Sequence, residues 1–270
     1  MPNDGNVTNS LVKIEVPESI DEAVKNLTGK PTETIGQVLS DCLFLVFGGI
    51  SQKAELKRVK YAFALKEFTK ELEKKVESIP EERRLEPNTH TVCTALESMR
   101  YCVEEVELRN MFSTLIANSL DKEMHEIVHP SYGDIIKQLT SYDAKLILWM
   151  KKQEAIPAIR FRVNIKGKNE YLQLPTIYIE YGEDTIEMLQ VSLENLSRLK
   201  IIDLNLDTSY SDKQLYENIK KMKKYNEDKT SVESQIEENK KLDDVLGSIE
   251  ISQFGRKFID ACCSDSLTNG

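Results

Sequence analysis

Tyr61, Leu65, Phe68, Leu72, Val76 and Ile79 recur at steps of four and three, with Lys and Glu filling most positions between them. One apolar stripe at a period near 3.6 residues specifies an amphipathic α-helix. The stripe predicts a helix from about Ser51 to Ser78, ended by Pro80, whose ring cannot continue it. A helix this long must bury one face, so helix packing organises the chain. The stripe lasts under three heptads, which favours packing within the chain over a coiled-coil seam with a partner.

Two shorter stripes follow: Val92, Leu96, Met99 and Val103, then Leu108, Met111, Phe112, Leu115 and Ile116. Glu105 and Arg109 stand four apart, a spacing that lets them pair on an exposed face. After Pro130, Ser131 can cap a short helix carrying Ile135, Ile136 and Leu139. Upstream, residues 1–17 are polar and patternless and are expected to form a flexible tail. A short amphipathic piece (Ile20 to Leu27) and a helical stretch from Thr32 to the Gly48-Gly49 break come next. The reading to this point is a helical domain over residues 18–139. With 11 Gly and 8 Pro in 270 residues, few chain reversals are encoded, which also favours long helices.

The pattern changes at Thr140. Thr140 to Asp143 offers caps for a helix with Leu146, Leu148, Trp149 and Met150. Ile159 to Ile165 and Tyr171 to Tyr181, joined by Lys166-Gly167-Lys168-Asn169, predict a β-hairpin. Asp184 can cap a helix whose apolar face is Ile186, Leu189, Leu193 and Leu196. Ile201 to Leu206 and Ile249 to Phe254 read as strands, and Gly255 opens a terminal helix. Between the strands, residues 207–244 form a polar insertion with 8 Lys against 10 Asp and Glu, read as a solvated helical excursion or a loop. The fold class is therefore mainly α: an N-terminal helical domain followed by an α+β winged-helix-like C-terminal domain over residues 140–265.

A winged-helix order does not by itself specify a function. The helix that would enter a DNA groove shows Glu187, Gln190, Glu194 and Arg198 opposite its apolar stripe. DNA readers place Lys or Arg there, because phosphate dominates the affinity. A net charge of −9 points the same way. These four residues are instead the candidate docking face for a protein.

His125-Glu126-Ile127-Val128-His129 matches H-E-x-x-H, which on a helix would set two imidazoles on one face for zinc. Pro130 opposes helical geometry at His129, and the third histidine, His90, stands alone in a polar loop, so the run is read as inert. There is no Gly-rich phosphate loop, no G-x-S-x-G elbow and no C-x-x-C pair. No catalytic, cofactor-binding or metal-ligating residue is expected. The five cysteines include the adjacent Cys262 and Cys263 and do not form a secreted disulfide pattern; Cys93 and Cys102 read as small buried hydrophobes. The N-terminus shows no signal peptide, and the most apolar run, Cys42 to Ile50, is too short for a membrane span, so the expected location is cytoplasmic.

The run Leu96-Glu97-Ser98-Met99-Arg100-Tyr101, with Glu105 to Phe112 and Leu115 to Ser119, resembles the abortive-infection alpha family of bacteria. So do Val128 to Tyr132, Ile135 to Leu139, Asp143-Ala144-Lys145 and the ending Phe254 to Cys262. The resemblance runs from about residue 35 to 263, and the insertion fits it least. It implies a setting, abortive-infection phage resistance, and no catalytic residue set. The leading expectation is a non-enzymatic protein acting through protein–protein contacts, with an unidentified protein partner or a second copy of itself. The alternatives are a membrane-perturbing effector, which would release the helix around Leu39 to Ile50 on activation, and a winged-helix DNA-binding regulator.

Overall fold

In the computed structural model the described residues are 42–43, 45–46, 55–86, 88–182 and 186–263. The expected tail, the Ile20 to Leu27 piece, most of the Thr32 to Gly49 stretch and the Asp184 cap lie outside them. The long stripe becomes α1 (Glu55–Glu77), with Leu65, Phe68 and Leu72 fully buried. The next two stripes are α2 (Thr89–Met99) and α3 (Val106–Ser119). Asn88 caps α2 by accepting the Thr91 N–H at 3.2 Å. Every stripe residue of α2 and α3, with Val103 between them, is buried. A short α4 (Tyr132–Ile136) leads to α5 (Ser141–Met150), which opens on the expected cap. The Thr140 side chain takes the Asp143 N–H at 3.1 Å, and the Asp143 carboxylate takes the Thr140 N–H at 2.8 Å.

The second half is a four-stranded antiparallel sheet in the order β2-β1-β4-β3, so the chain mixes α and β. The strands are β1 (Ile156–Ile165), β2 (Tyr171–Tyr178), β3 (Ile202–Asn205) and β4 (Lys240–Ile251). β1 and β2 form the expected hairpin, turning at Gly167, whose φ of 78° suits a residue without Cβ. Helix α6 (Ile186–Arg198) precedes β3, and α9 (Gln253–Cys262) follows β4. Lys200, at φ 60°, ends α6: its N–H returns to Ser197 and that of Ile201 to Leu196, with Leu196 and Ile201 both fully buried. This Schellman turn aims the chain into β3. The Ile201 carbonyl then receives the Ser252 N–H at 3.0 Å, and a Cβ at position 255 would stand 2.0 Å from its oxygen. Gly255 therefore sits inside the first turn of α9 as a close-approach residue.

Because strand side chains alternate, the sheet has two differently packed faces. Ile156, Ala158, Ile177, Ile202 and Ile249 join the helices in one continuous core, closed by Phe258, Ile259 and Cys262 of α9. Ile159, Phe161 and Tyr178 face the other way and pack with Tyr216, Ile219 and Tyr225 in a second cluster. Tyr216, Ile219 and Tyr225 belong to the insertion, whose helices are α7 (Glu217–Lys221) and α8 (Lys223–Gln235).

Several details differ from the expectations: Ser131 makes no side-chain cap at α4, its hydroxyl meeting His129 instead, and the strand expected to reach Phe254 ends at Ile251, with Gln253 and Phe254 already in α9. β4 starts at Lys240 rather than near Ile249, because Lys240 to Asp244 pair with Phe161 to Ile165. A Lys-Lys-Leu-Asp-Asp run has no apolar alternation to announce a strand. Arg109 does not pair with Glu105. It is buried, donates to the Val103 carbonyl at 3.3 Å and meets Glu71 at 3.4 Å, while Glu105 accepts from the Ser141 hydroxyl at 2.7 Å. Cys93 is also more than a small hydrophobe, since it is disulfide-bonded to Cys42.

Candidate functional site

α6 buries Leu189, Ser192, Leu193 and Leu196 and turns the rest of its surface outward. Glu187, Glu194 and Arg198 are exposed, as expected. Gln190 does not join them: its amide donates to the Ile177 carbonyl at 2.7 Å and its oxygen accepts the Ile177 N–H at 2.8 Å. The side chain thus satisfies one residue of the β2 edge, which an unpaired strand otherwise leaves open. Arg198 is partly engaged, donating to Gln138 at 3.2 Å and to Asn195 at 2.7 Å.

Two residues that the sequence reading passed over complete this face. Met188 is 50% exposed and Val191 67% exposed. They lie between the two glutamates along the helix, so the outward stripe is apolar at its middle and acidic at its flanks. The signal was present, since neither residue falls on the inward-facing 186/189/193/196 spacing. Lys224, at the start of α8, feels the Glu187 charge but pairs with Asp228 at 2.8 Å.

The H-E-x-x-H run does not form an α-helix. His125–Ile127 is a single 3-10 turn, and Val128 is extended at φ −75°, ψ 114°. His125 Nδ1 donates to the Lys122 carbonyl at 3.0 Å, and His129 Nδ1 accepts from the Ser131 hydroxyl at 2.7 Å. The two imidazoles therefore do not share the helix face that zinc ligation at this spacing needs. Among the described residues, no group of three His, Cys, Asp or Glu is arranged to hold a metal ion.

A buried polar cluster lies between α1 and α3. Lys75 Nζ donates to the Ser113 and Thr114 hydroxyls, both at 2.7 Å, and to the Asn110 carbonyl at 3.1 Å. Burial lowers its pKa to about 8, with the Glu71 charge acting in the opposite sense. A lysine that readily loses its proton beside a serine is a general-base arrangement in principle. Ser113, however, is wholly buried in the middle of α3, and its hydroxyl also binds the Asn110 carbonyl at 2.9 Å. The cluster ties α1 to α3.

A cleft of about 250 Å³ opens where α5 ends and β4 meets α9. Met150, Ile156 and Ile249 form its floor, and Glu154, Glu250 and Arg256 its charged rim. Among the described residues, no helix is long and apolar enough to cross a membrane. Most of the Leu39 to Ile50 run lies outside those residues, but Cys42, Leu43 and Val46 are buried in the main core.

The sequence model of the family described as abortive infection alpha matches residues 60–262. No curated protein and no solved structure matches the chain.

Proposed function

The chain belongs to the abortive infection alpha family, and from that premise we propose that it serves bacterial phage defence without turnover, by docking a protein on the outer face of α6. The observation that supports this is the Met188 and Val191 pair, half or more exposed between Glu187 and Glu194. Exposed apolar side chains framed by charge are the usual make-up of a contact patch. The C-terminal half is read as winged-helix-like, with α6 delivering the chain into the β3–β4 pair and α9 closing behind it. In this reading the helix that would enter DNA presents carboxylates and two apolar side chains instead, which suits a protein partner and repels phosphate.

The test is a plaque assay in a bacterial host with the triple variant Glu187→Lys, Val191→Lys and Glu194→Lys. The native chain should lower plaque counts for at least one phage, and the variant should lose that protection at equal abundance. Full protection by the variant would reject this face. Salt-sensitive binding of duplex DNA by the native chain would turn the reading towards a regulator.

A further inference from the structure

We propose that the cleft between the end of α5, the start of β1 and the β4–α9 junction binds a free α-amino acid with an aliphatic side chain. Its volume, about 250 Å³, lies below the roughly 300–1,000 Å³ of pockets that take drug-sized molecules, so the occupant is small. The floor consists of residues that the main core already holds. Met150, Ile156 and Ile249 are each at most 4% exposed, and Ile156 pairs with Ile249 across β1 and β4. A floor so fixed and so apolar suits a side chain without polar atoms.

The rim carries charges of both signs. Glu154, Glu250 and Arg256 are exposed around the floor. Among the described residues none of the three side chains makes an ion pair or a hydrogen bond, although they line one small opening. The guanidinium therefore stands beyond ion-pair reach of both carboxylates, which leaves room between them. Two of these placements work against the fold. Arg256 lies in the opening turn of α9, where the helix dipole disfavours a cation. Glu250 stands directly opposite Asp203 across β3 and β4, and like charges in one register repel. A ligand with an anionic and a cationic end offsets both costs. Tyr210 adds a donor: its hydroxyl oxygen accepts the Ile156 N–H at 3.3 Å, and its own hydrogen is taken by no described acceptor.

These groups assign the parts of the ligand. Arg256 matches a planar carboxylate with its fork of N–H groups, and the Tyr210 hydroxyl donates to the same group. Glu154 and Glu250 accept from an ammonium, whose three N–H donors can serve both. The aliphatic side chain lies on the floor. An α-amino acid carries all three groups on one carbon, at a size the cleft holds. A simple amine would leave the guanidinium unmatched, and a fatty acid would leave both glutamates unmatched. The site shares no residue with the α6 face, so neither reading depends on the other.

Calorimetric titration of the full chain provides the test. Valine, leucine and isoleucine are titrated, each beside the amine that lacks its carboxylate and the acid that lacks its ammonium. At least one amino acid should saturate one site per chain, and its amine and its acid should each bind about tenfold more weakly or worse, having lost a charge-assisted contact. Arg256→Gln should bring the amino acid down to the affinity of its amine, and Glu154→Gln with Glu250→Gln down to that of its acid. These side chains are exposed, so the variants should melt close to the native chain. Three results would overturn the inference: no saturable binding of any of the amino acids, an amine or acid that binds as tightly as the amino acid, or folded variants that bind as tightly as the native chain.

Discussion

The two hydrophobic clusters of this chain are built on opposite principles. The main core is largely aliphatic and comes from helices whose stripes are complete in themselves, so each of α1, α2 and α3 brings a full buried face. The second cluster is largely aromatic and joins the hairpin's Ile159, Phe161 and Tyr178 to Tyr216, Ile219 and Tyr225, which look solitary in the sequence. Phe161, Tyr178 and Tyr225 meet as three rings with centroids 5.1–5.3 Å apart. Each tyrosine keeps a polar outlet: Tyr178 donates to Asp228 at 2.9 Å, Tyr216 to the Gly247 carbonyl at 2.9 Å, and Lys229 reaches the Tyr225 hydroxyl at 3.3 Å. A ring that buries its body and satisfies its hydroxyl lets a Lys- and Glu-rich stretch fold down without an apolar stripe. The comparison shows that low hydrophobicity in a segment does not make it solvated.

If the two clusters differ in this way, damage to each should differ in reach. The largest effect belongs to the main core. Phe68→Ala should cost about 3–5 kcal/mol of global stability, through lost burial and the cavity left in a packed interior. Denaturant titration reads it, and an unchanged midpoint would mean that the α1 face is not core. Tyr225→Ala should cost about 3 kcal/mol, but mainly as local opening of residues 207–239. Protease should then cut within that segment while α1 to α3 stay protected. If instead the whole chain loosens together, the two clusters are one cooperative unit.

A third measurement probes the polar seam inside the main core. Between about pH 8 and pH 10 the unfolded chain keeps a proton at Lys75 that the folded chain has lost. Stability attributable to this residue therefore rises with pH in that window, by about 2 kcal/mol over its width. Lys75→Met should remove that rise, and parallel pH profiles for the two proteins would show that the ammonium is solvated. In the aromatic cluster, Tyr178→Phe deletes a hydrogen bond to a carboxylate and should cost about 1.5 kcal/mol, seen as faster exchange in α8. The smallest effect is expected on the surface: the Glu187, Val191 and Glu194 triple variant should shift stability by less than about 0.5 kcal/mol. A larger loss would place Val191 in packing rather than in contact with a partner.

Most of the architecture could be read before any coordinates. Periodicity located α1, α2 and α3, the Thr140–Asp143 cap located α5, and the Lys166 to Asn169 turn located the hairpin. These signals are local, because a helix or a hairpin satisfies its own backbone within a few residues. The family block was legible for the same reason, as a series of short runs of residues between Leu96 and Leu139. Part of the candidate face was legible too: the sequence placed Glu187, Glu194 and Arg198 outward, but it also placed Gln190 there and passed over Met188 and Val191.

What stayed hidden depends on contacts between distant residues. That Gln190 turns to the β2 edge depends on where Ile177 lies, and no spacing within α6 encodes that position. Arg109 leaves Glu105 for Glu71 because α1 packs on α3, which offers a buried guanidinium a carboxylate that the local i+4 pairing could not keep dry. The Lys240 to Asp244 strand exists because Phe161 to Ile165 supplies its hydrogen-bond partners. Cys42 and Cys93 meet across 51 residues for the same reason. Hydrophobic periodicity and capping act over one or two turns of chain, so they are written in the residues themselves. Pairings of polar groups are settled by which surfaces the folded core brings within about 3 Å, the reach of a hydrogen bond.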